Sequence, residues 1–238
     1  MKHQQRIGLV GLGKLGTAMM THWDKLIALG VYHPVQTKAE QFLQSFQKGY
    51  LLAENEVKDV EILILALPAT EIIPFITSLK LQSNASNVPI IINMATNLHT
   101  NQIKIQFPDL QVHGVKYMGH SKDLLEHGNG LFITEAALPP TVVELFQELG
   151  KVMIDSENCL TEVNKLATYF AIKTAITIET EFRNRGLSKE YLKRALTSLA
   201  PEVIRSYNEG SLGHFAKEIV KEIKAEQKSI DLDERKAT

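Results

Sequence analysis

Several things are scarce in this chain of 238 residues. It has one cysteine, Cys159, so no internal disulfide can form; with no sequence argument for reactivity, that thiol reads as a small packed residue. Neither sign of charge dominates: 26 Lys and Arg stand against 27 Asp and Glu, a formal net charge of -1. That balance removes the electrostatic case for nucleic acid or an anionic membrane and leaves a small molecule as the expected partner. Uninterrupted apolar runs never approach the length of a membrane span. Met1-Lys2-His3 passes into the first strand pattern without a secretory apolar segment, so the expected location is the cytoplasm. His99, His113, His120 and His127 lack the short spacing of a zinc site, so no metal is expected. Internal repeats and low-complexity segments are missing as well. What remains, 44% hydrophobic and 22% charged residues, is enough for one large domain or two small ones.

The most informative stretch is the first. Ile7 to Val10 is a short apolar run, and Gly11-Leu12-Gly13-Lys14-Leu15-Gly16 follows it directly and opens a helical pattern. A G-x-G-x-x-G between strand and helix is a dinucleotide fingerprint. Gly11 permits the tight turn, Gly13 lets a pyrophosphate approach the backbone, and Gly16 lets helix and strand pack closely. The free amides and positive dipole end of that helix attract phosphate.

Taken in order, Thr17 to Leu29 has helical spacing with Gly30 as a C-terminal cap, and Val31-Tyr32 is a second strand. Thr37 to Lys48 reads as a helix, Gly49 to Leu52 as a strand, and Ile62 to Leu67 as a central strand buried on both faces. A helix over Glu71 to Leu81 precedes a strand from Val88 to Asn93. Val112 to Met118 and Gly130 to Thr134 are expected to extend the same sheet. Pro139 to Leu149 is a helix and Lys151 to Asp155 a last strand. This alternation predicts an α/β fold, a doubly wound, mostly parallel Rossmann sheet, followed by an all-helical C-terminal domain. The helices expected there cover Asn158 to Arg185, Ser188 to about Asn208, and Leu212 to Lys228. The boundaries are 1–156 for the nucleotide-binding domain, 157–230 for the helical domain, and 231–238 for a disordered tail.

Ligands of such sheets sit outside the carboxyl ends of the strands. The expected cofactor-binding residues are therefore Gly11, Leu12, Gly13, Lys14, Leu15, Gly16, His33, Lys38, Ala66, Leu67, Pro68, Asn93 and Ala95. After the second strand, where an Asp or Glu would hold both ribose hydroxyls, the sequence reads His33-Pro34-Val35-Gln36-Thr37-Lys38. The missing acid, with His33 and Lys38 nearby, favours NADP, with NAD as the alternative. The loop Gly119-His120-Ser121-Lys122-Asp123 makes His120 and Ser121 candidates for substrate positioning or proton transfer.

The glycine motif with Met19, the run Ile64-Leu65-Ala66-Leu67-Pro68, Gly150-Lys151-Val152 leading to Glu157, and Arg185-Gly186-Leu187-Ser188 before a helix together resemble pyrroline-5-carboxylate reductase. That resemblance implies an NADP(H)-dependent oxidoreductase transferring hydride to or from a small imino or keto/hydroxy acid. It also implies a helical half that forms a homodimer. Asn164-Lys165-Leu166 is similar to the lysine step of the β-hydroxyacid and 6-phosphogluconate dehydrogenases, which makes Lys165 the candidate proton donor or acceptor. Elsewhere the residues differ: Met118-Gly119-His120-Ser121 stands where the reductases have Met-Pro-Asn-Thr, and their Pro-Gly-Gly-Thr-Thr segment has no counterpart. A dinucleotide-binding regulatory protein with impaired catalysis is the alternative function.

Overall fold

The computed structural model describes residues 6–82 and 88–236. By its internal contacts the chain divides into two compact units, Met1–Leu166 and Ala167–Thr238. In the first, β1 (Ile7–Val10), β2 (Leu29–Tyr32), β3 (Gly49–Leu51), β4 (Ile62–Leu65), β5 (Ile90–Asn93) and β6 (Val112–Gly114) form a parallel sheet. Its order is β3-β2-β1-β4-β5-β6, the order of a doubly wound dinucleotide-binding sheet. The crossovers include α1 (Lys14–Trp23), α2 (Gln36–Leu43), α3 (Ala69–Gln82) and α4 (Thr100–Gln106).

Strand periodicity sorts the core into two layers. Ile7 and Leu9 of β1 and Ile62 and Ile64 of β4 pack with Ala18, Met19 and Trp23 of α1. Val10, Leu63 and Leu65 face the other way, against Ile72 and Ile76 of α3. Successive side chains of a strand point to opposite faces, so a run that is apolar throughout needs helices on both sides.

Two sequence expectations change here. Gly30 does not cap a helix: α1 ends at Trp23 and Gly30 lies inside β2, paired with Gly8. Val112 to Met118 is not one strand. Val115 still donates its amide to Asn93 O at 3.1 Å, but β7 (Lys116–Tyr117) turns to pair antiparallel with β8 (Gly130–Thr134). With β9 (Gly150–Ile154) these strands form a second, three-stranded sheet. The turn lets the Lys116 ammonium reach main-chain carbonyls, which a strand sandwiched between apolar layers would not offer.

Two more helices, α5 (Ser121–His127) and α6 (Pro140–Gln147), flank the small sheet. Trp23 joins it to the large sheet. Its ring is fully buried, meets Phe146 edge-on at 5.6 Å, and donates Nε1–H to Leu145 O at 2.9 Å.

The helix α7 (Glu157–Asn184) runs across the division between the units. It ends before Gly186, and Ser188 then caps α8 (Lys189–Arg194) by accepting from the Tyr191 amide. The single helix expected from Ser188 to Asn208 is interrupted by a π turn over Ala195–Leu199 before α9 (Ala200–Glu209). Pro201 explains the interruption: it has no amide for the carbonyl of Thr197 and its ring crowds that carbonyl, so the helix widens there. The last helix, α10 (His214–Lys236), continues through most of the segment read as a tail. From Ala167 to Lys228 only Ala195 is buried.

Candidate functional site

Because the six strands are parallel, their carboxyl ends share one edge, and a cavity of about 800 Å³ opens there. Gly11, Leu12, Gly13, His33, Lys38, Ala66, Leu67 and Pro68 line it together with Tyr32, Gln41, Phe42 and Glu71. The sheet has thus brought together eight of the thirteen residues expected to bind cofactor, from three separate loops. Lys14, Leu15 and Gly16 form the first turn of α1 beside it.

The glycines have distinct reasons. Gly11 has φ of +108° and a side chain there would run into the Ala66 carbonyl, so the fold itself requires glycine. At Gly13 a Cβ would meet nothing within 4 Å; the fold leaves that position open, on the wall of the cavity. Gly13 is also the N-cap of α1, with no side-chain cap, and the first turn of α1 carries no acid. The turn brings no carboxylate of its own to its free amides and dipole, which suits a pyrophosphate.

At the end of β2, His33 accepts the Val35 amide on Nδ1 at 2.9 Å. A neutral ring accepting there carries its proton on Nε2, which makes His33 a donor in the cavity wall, with Lys38 a second. The one acid of this lining, Glu71, comes from α3 rather than from β2. A recess of about 340 Å³ adjoins the cavity, sharing Val10, Tyr32, Pro34, Leu67 and Glu71 and adding Glu54, Pro74 and Phe75. Burial, then the charge of Glu54, raises the Tyr32 phenol above its ordinary pKa.

Asn93 and Ala95 are not in that lining. Asn93 is fully buried and donates to Leu98 O at 2.9 Å and Thr100 Oγ1 at 3.1 Å, while its Oδ1 accepts the Ala95 amide. It belongs to a polar cluster that sequence reasoning missed. Lys116, with a side chain 1% exposed, donates to Ala95 O at 2.5 Å and Leu98 O at 3.0 Å, and its Nζ lies 3.8 Å from Glu157 Oε2. Glu157 accepts from the Thr100 amide at 2.9 Å and the Thr100 hydroxyl at 2.5 Å. Desolvation lowers the Lys116 pKa to about 8, outweighing the opposing attraction of Glu157 and Glu135. The one sequence signal was a lysine inside the strand pattern Val112 to Met118.

The candidate catalytic residues are more dispersed. His120 accepts the Lys122 amide on Nδ1 at 3.2 Å and so caps α5, of which Ser121 is the first residue. Lys165 is exposed on α7. None of the three lines the glycine-loop cavity. Cys159 Sγ lies 3.4 Å from Asp155 Oδ1, and that bond raises the thiol pKa, away from the thiolate a nucleophile needs. Among the described residues no group of three or more His, Cys, Asp or Glu side chains is placed to hold a metal, and no helix is long and apolar enough to cross a membrane.

Compared with known families, residues 6–121 match the NAD binding domain of 6-phosphogluconate dehydrogenase. This segment is similar to NAD-binding domains of that type. None of the curated protein sequences matches the chain significantly. Several solved structures share the fold. A pyrroline-5-carboxylate reductase from Coxiella burnetii has 14% identity and a TM-score of 0.68 over 98% of this chain and 91% of its own. A pyrroline carboxylate reductase from Plasmodium falciparum, solved with NADP bound, has 16% identity and a TM-score of 0.59 over 98% and 92%. A reductive aminase from Aspergillus terreus, in complex with NADPH and ethyl-5-oxohexanoate, has 18% identity and a TM-score of 0.59 over 87% and 79%. At such identities the likeness establishes the fold alone, one that these three reductive enzymes share.

Proposed function

We propose that the chain is an NADP(H)-dependent oxidoreductase, pyrroline-5-carboxylate reductase-like, acting on the C=N or C=O bond of a small imino or keto acid or on the reduced form. The observation that carries the reading is the pairing of an open Gly13 with an acid-free β2 end in one cavity. Pyrophosphate rests on the Gly11–Gly16 turn and the α1 amides. The His33 Nε2–H and the Lys38 ammonium bind the 2′-phosphate that a carboxylate there would repel. The adenine takes the adjoining recess beside Tyr32. When bound, the nicotinamide supplies or accepts a hydride. The residues proposed to move the accompanying proton are His120, whose ring carries its proton on Nε2 in the capped geometry, and Lys165, with Ser121 positioning substrate.

The neighbours solved with NADP or NADPH support this cofactor assignment. Titration of the protein with NADPH and NADH by cofactor fluorescence tests it, the tryptophan being buried away from the cavity. NADPH is expected to bind more tightly; binding of neither at millimolar concentration overturns the proposal. A second reading, a dinucleotide-binding regulatory protein without turnover, is favoured by the absence of His120, Ser121 and Lys165 from the cavity lining. Screening imino and keto acids with NADPH separates the two: oxidation that is lost in Lys165→Ala or His120→Ala selects the enzyme.

The helical unit is proposed to form a homodimer. Most of its described large apolar side chains are exposed, Phe215 by 80% and Ile204 by 60%, and a groove of about 480 Å³ between α9 and α10 is lined mainly by apolar residues. One buried residue between Ala167 and Lys228 is too little for a core of its own, and a second copy supplies the missing cover.

A further inference from the structure

We infer that Lys116 and Glu157 are positioning residues for the cofactor site, forming a buried cross-link that fixes the main-chain path of the loop after β5. The inference rests on the dinucleotide-binding reading above. Lys116 bonds two carbonyls of one loop, Ala95 O and Leu98 O. Asn93 grips the same loop from its start, at Leu98 O and the Ala95 amide. Glu157 stands 57 residues along the chain from Thr100, yet its carboxylate holds the Thr100 amide where the loop turns into α4. The loop leaves the carboxyl end of β5, which neighbours β4, and the β4 loop Ala66–Pro68 lines the cofactor cavity. It therefore lies on the edge where the reacting end of a dinucleotide must reach.

Two observations separate this cluster from ordinary core packing. A buried ion pair gives little net stability compared with apolar residues of the same shape, so what this one supplies is a defined geometry for the carbonyls it holds. The chain also makes room for it: any side chain at Gly114 would collide with the Glu157 carboxylate and the Thr100 hydroxyl. Because α7 begins at Glu157, the same carboxylate ties the start of that helix to the loop.

The test compares NADPH with 2′,5′-ADP, which carries the adenine half alone, in wild type, Glu157→Gln and Lys116→Met. Hydrogen exchange of the Met94–Leu98 amides is followed in the same proteins. Weakening of NADPH by about tenfold, with unchanged 2′,5′-ADP affinity and faster exchange confined to this loop, is the expected result. The retained 2′,5′-ADP binding shows that each variant folds, and Glu157→Gln carries the test if Lys116→Met does not. Equal loss of both ligands, unchanged NADPH affinity, or unaltered exchange in the variants overturns the inference while the cofactor reading stands. Failure of the wild type to bind either ligand overturns the cofactor reading, and the positioning role with it.

Discussion

At Gly11 and Gly13 the same residue type answers two different demands, and substitution separates them. Alanine at position 11 places a methyl against the Ala66 carbonyl at a left-handed φ, so Gly11→Ala is expected to lose about 2 kcal/mol or more of stability. Alanine at position 13 meets no protein atom and keeps an ordinary φ of -76°. Gly13→Ala is expected to unfold within about 0.5 kcal/mol of wild type yet to bind NADPH at least about tenfold more weakly. Urea unfolding and a fluorescence titration measure the two quantities. A Gly13→Ala protein that binds normally would remove the pyrophosphate from this turn. The glycine motif was legible because its spacing and flanking pattern are local. Lys116 was not, because nothing near it in sequence names its partners.

Between elements, single side chains fix the docking. Trp23 bridges α1 to α6 by a buried ring contact and one hydrogen bond. Trp23→Phe leaves Leu145 O unpaired and a void behind it, a loss of about 2–3 kcal/mol read by urea unfolding; a loss below half that size contradicts the bridging role. Lys116, where β7 leaves the large sheet, gives a pH signature. Its folded pKa of about 8 lies below the ordinary lysine value of 10.5, so between these values the unfolded chain binds the proton more tightly. The contribution is absent below about pH 8, grows with rising pH, and is complete above about 10.5. The groups facing it are Glu157 and Glu135, with His99 beside both. Tyr117, its phenol pushed up by burial and Asp123, acts oppositely at higher pH. Midpoints are therefore compared at about pH 7.5 and 9.5, where wild type is expected to gain on Lys116→Met. A wild type that loses ground across that interval contradicts the assignment.

For the whole molecule, the proposal of a dimer through the helical unit is tested by mass. Sedimentation is expected to give twice the chain mass of 26.7 kDa. Ile204→Glu with Phe215→Glu, placing charge on the exposed apolar groove of α9 and α10, is expected to return the mass to that of one chain. A single-chain mass for the wild type overturns the dimer proposal. In the sequence, the dimer rests on resemblance and on the wide apolar stripe of Leu160, Val163, Leu166, Phe170 and Ile178 along α7. What the stripe could not tell is whether the second unit has a core of its own, since a buried and a partner-covered helix face carry the same residues.

Sequence alone determined the parallel sheet and its nucleotide-binding edge. Continuous apolar strands alternating with helices admit few arrangements, and the crossover rule fixes the hand of each. It also determined the glycine turn, where three positions leave backbone chemistry little choice. Only the tertiary structure decided where Val112 to Met118 divides between two sheets, and that Asn93 turns inward instead of lining the cavity. It alone paired Lys116 with Glu157. Those outcomes depend on which polar groups meet after the chain has crossed the sheet, and a buried donor must find its acceptor wherever the fold delivers one. Local pattern carries the elements; the cost of leaving a charge unpaired away from water settles how the remaining residues are used.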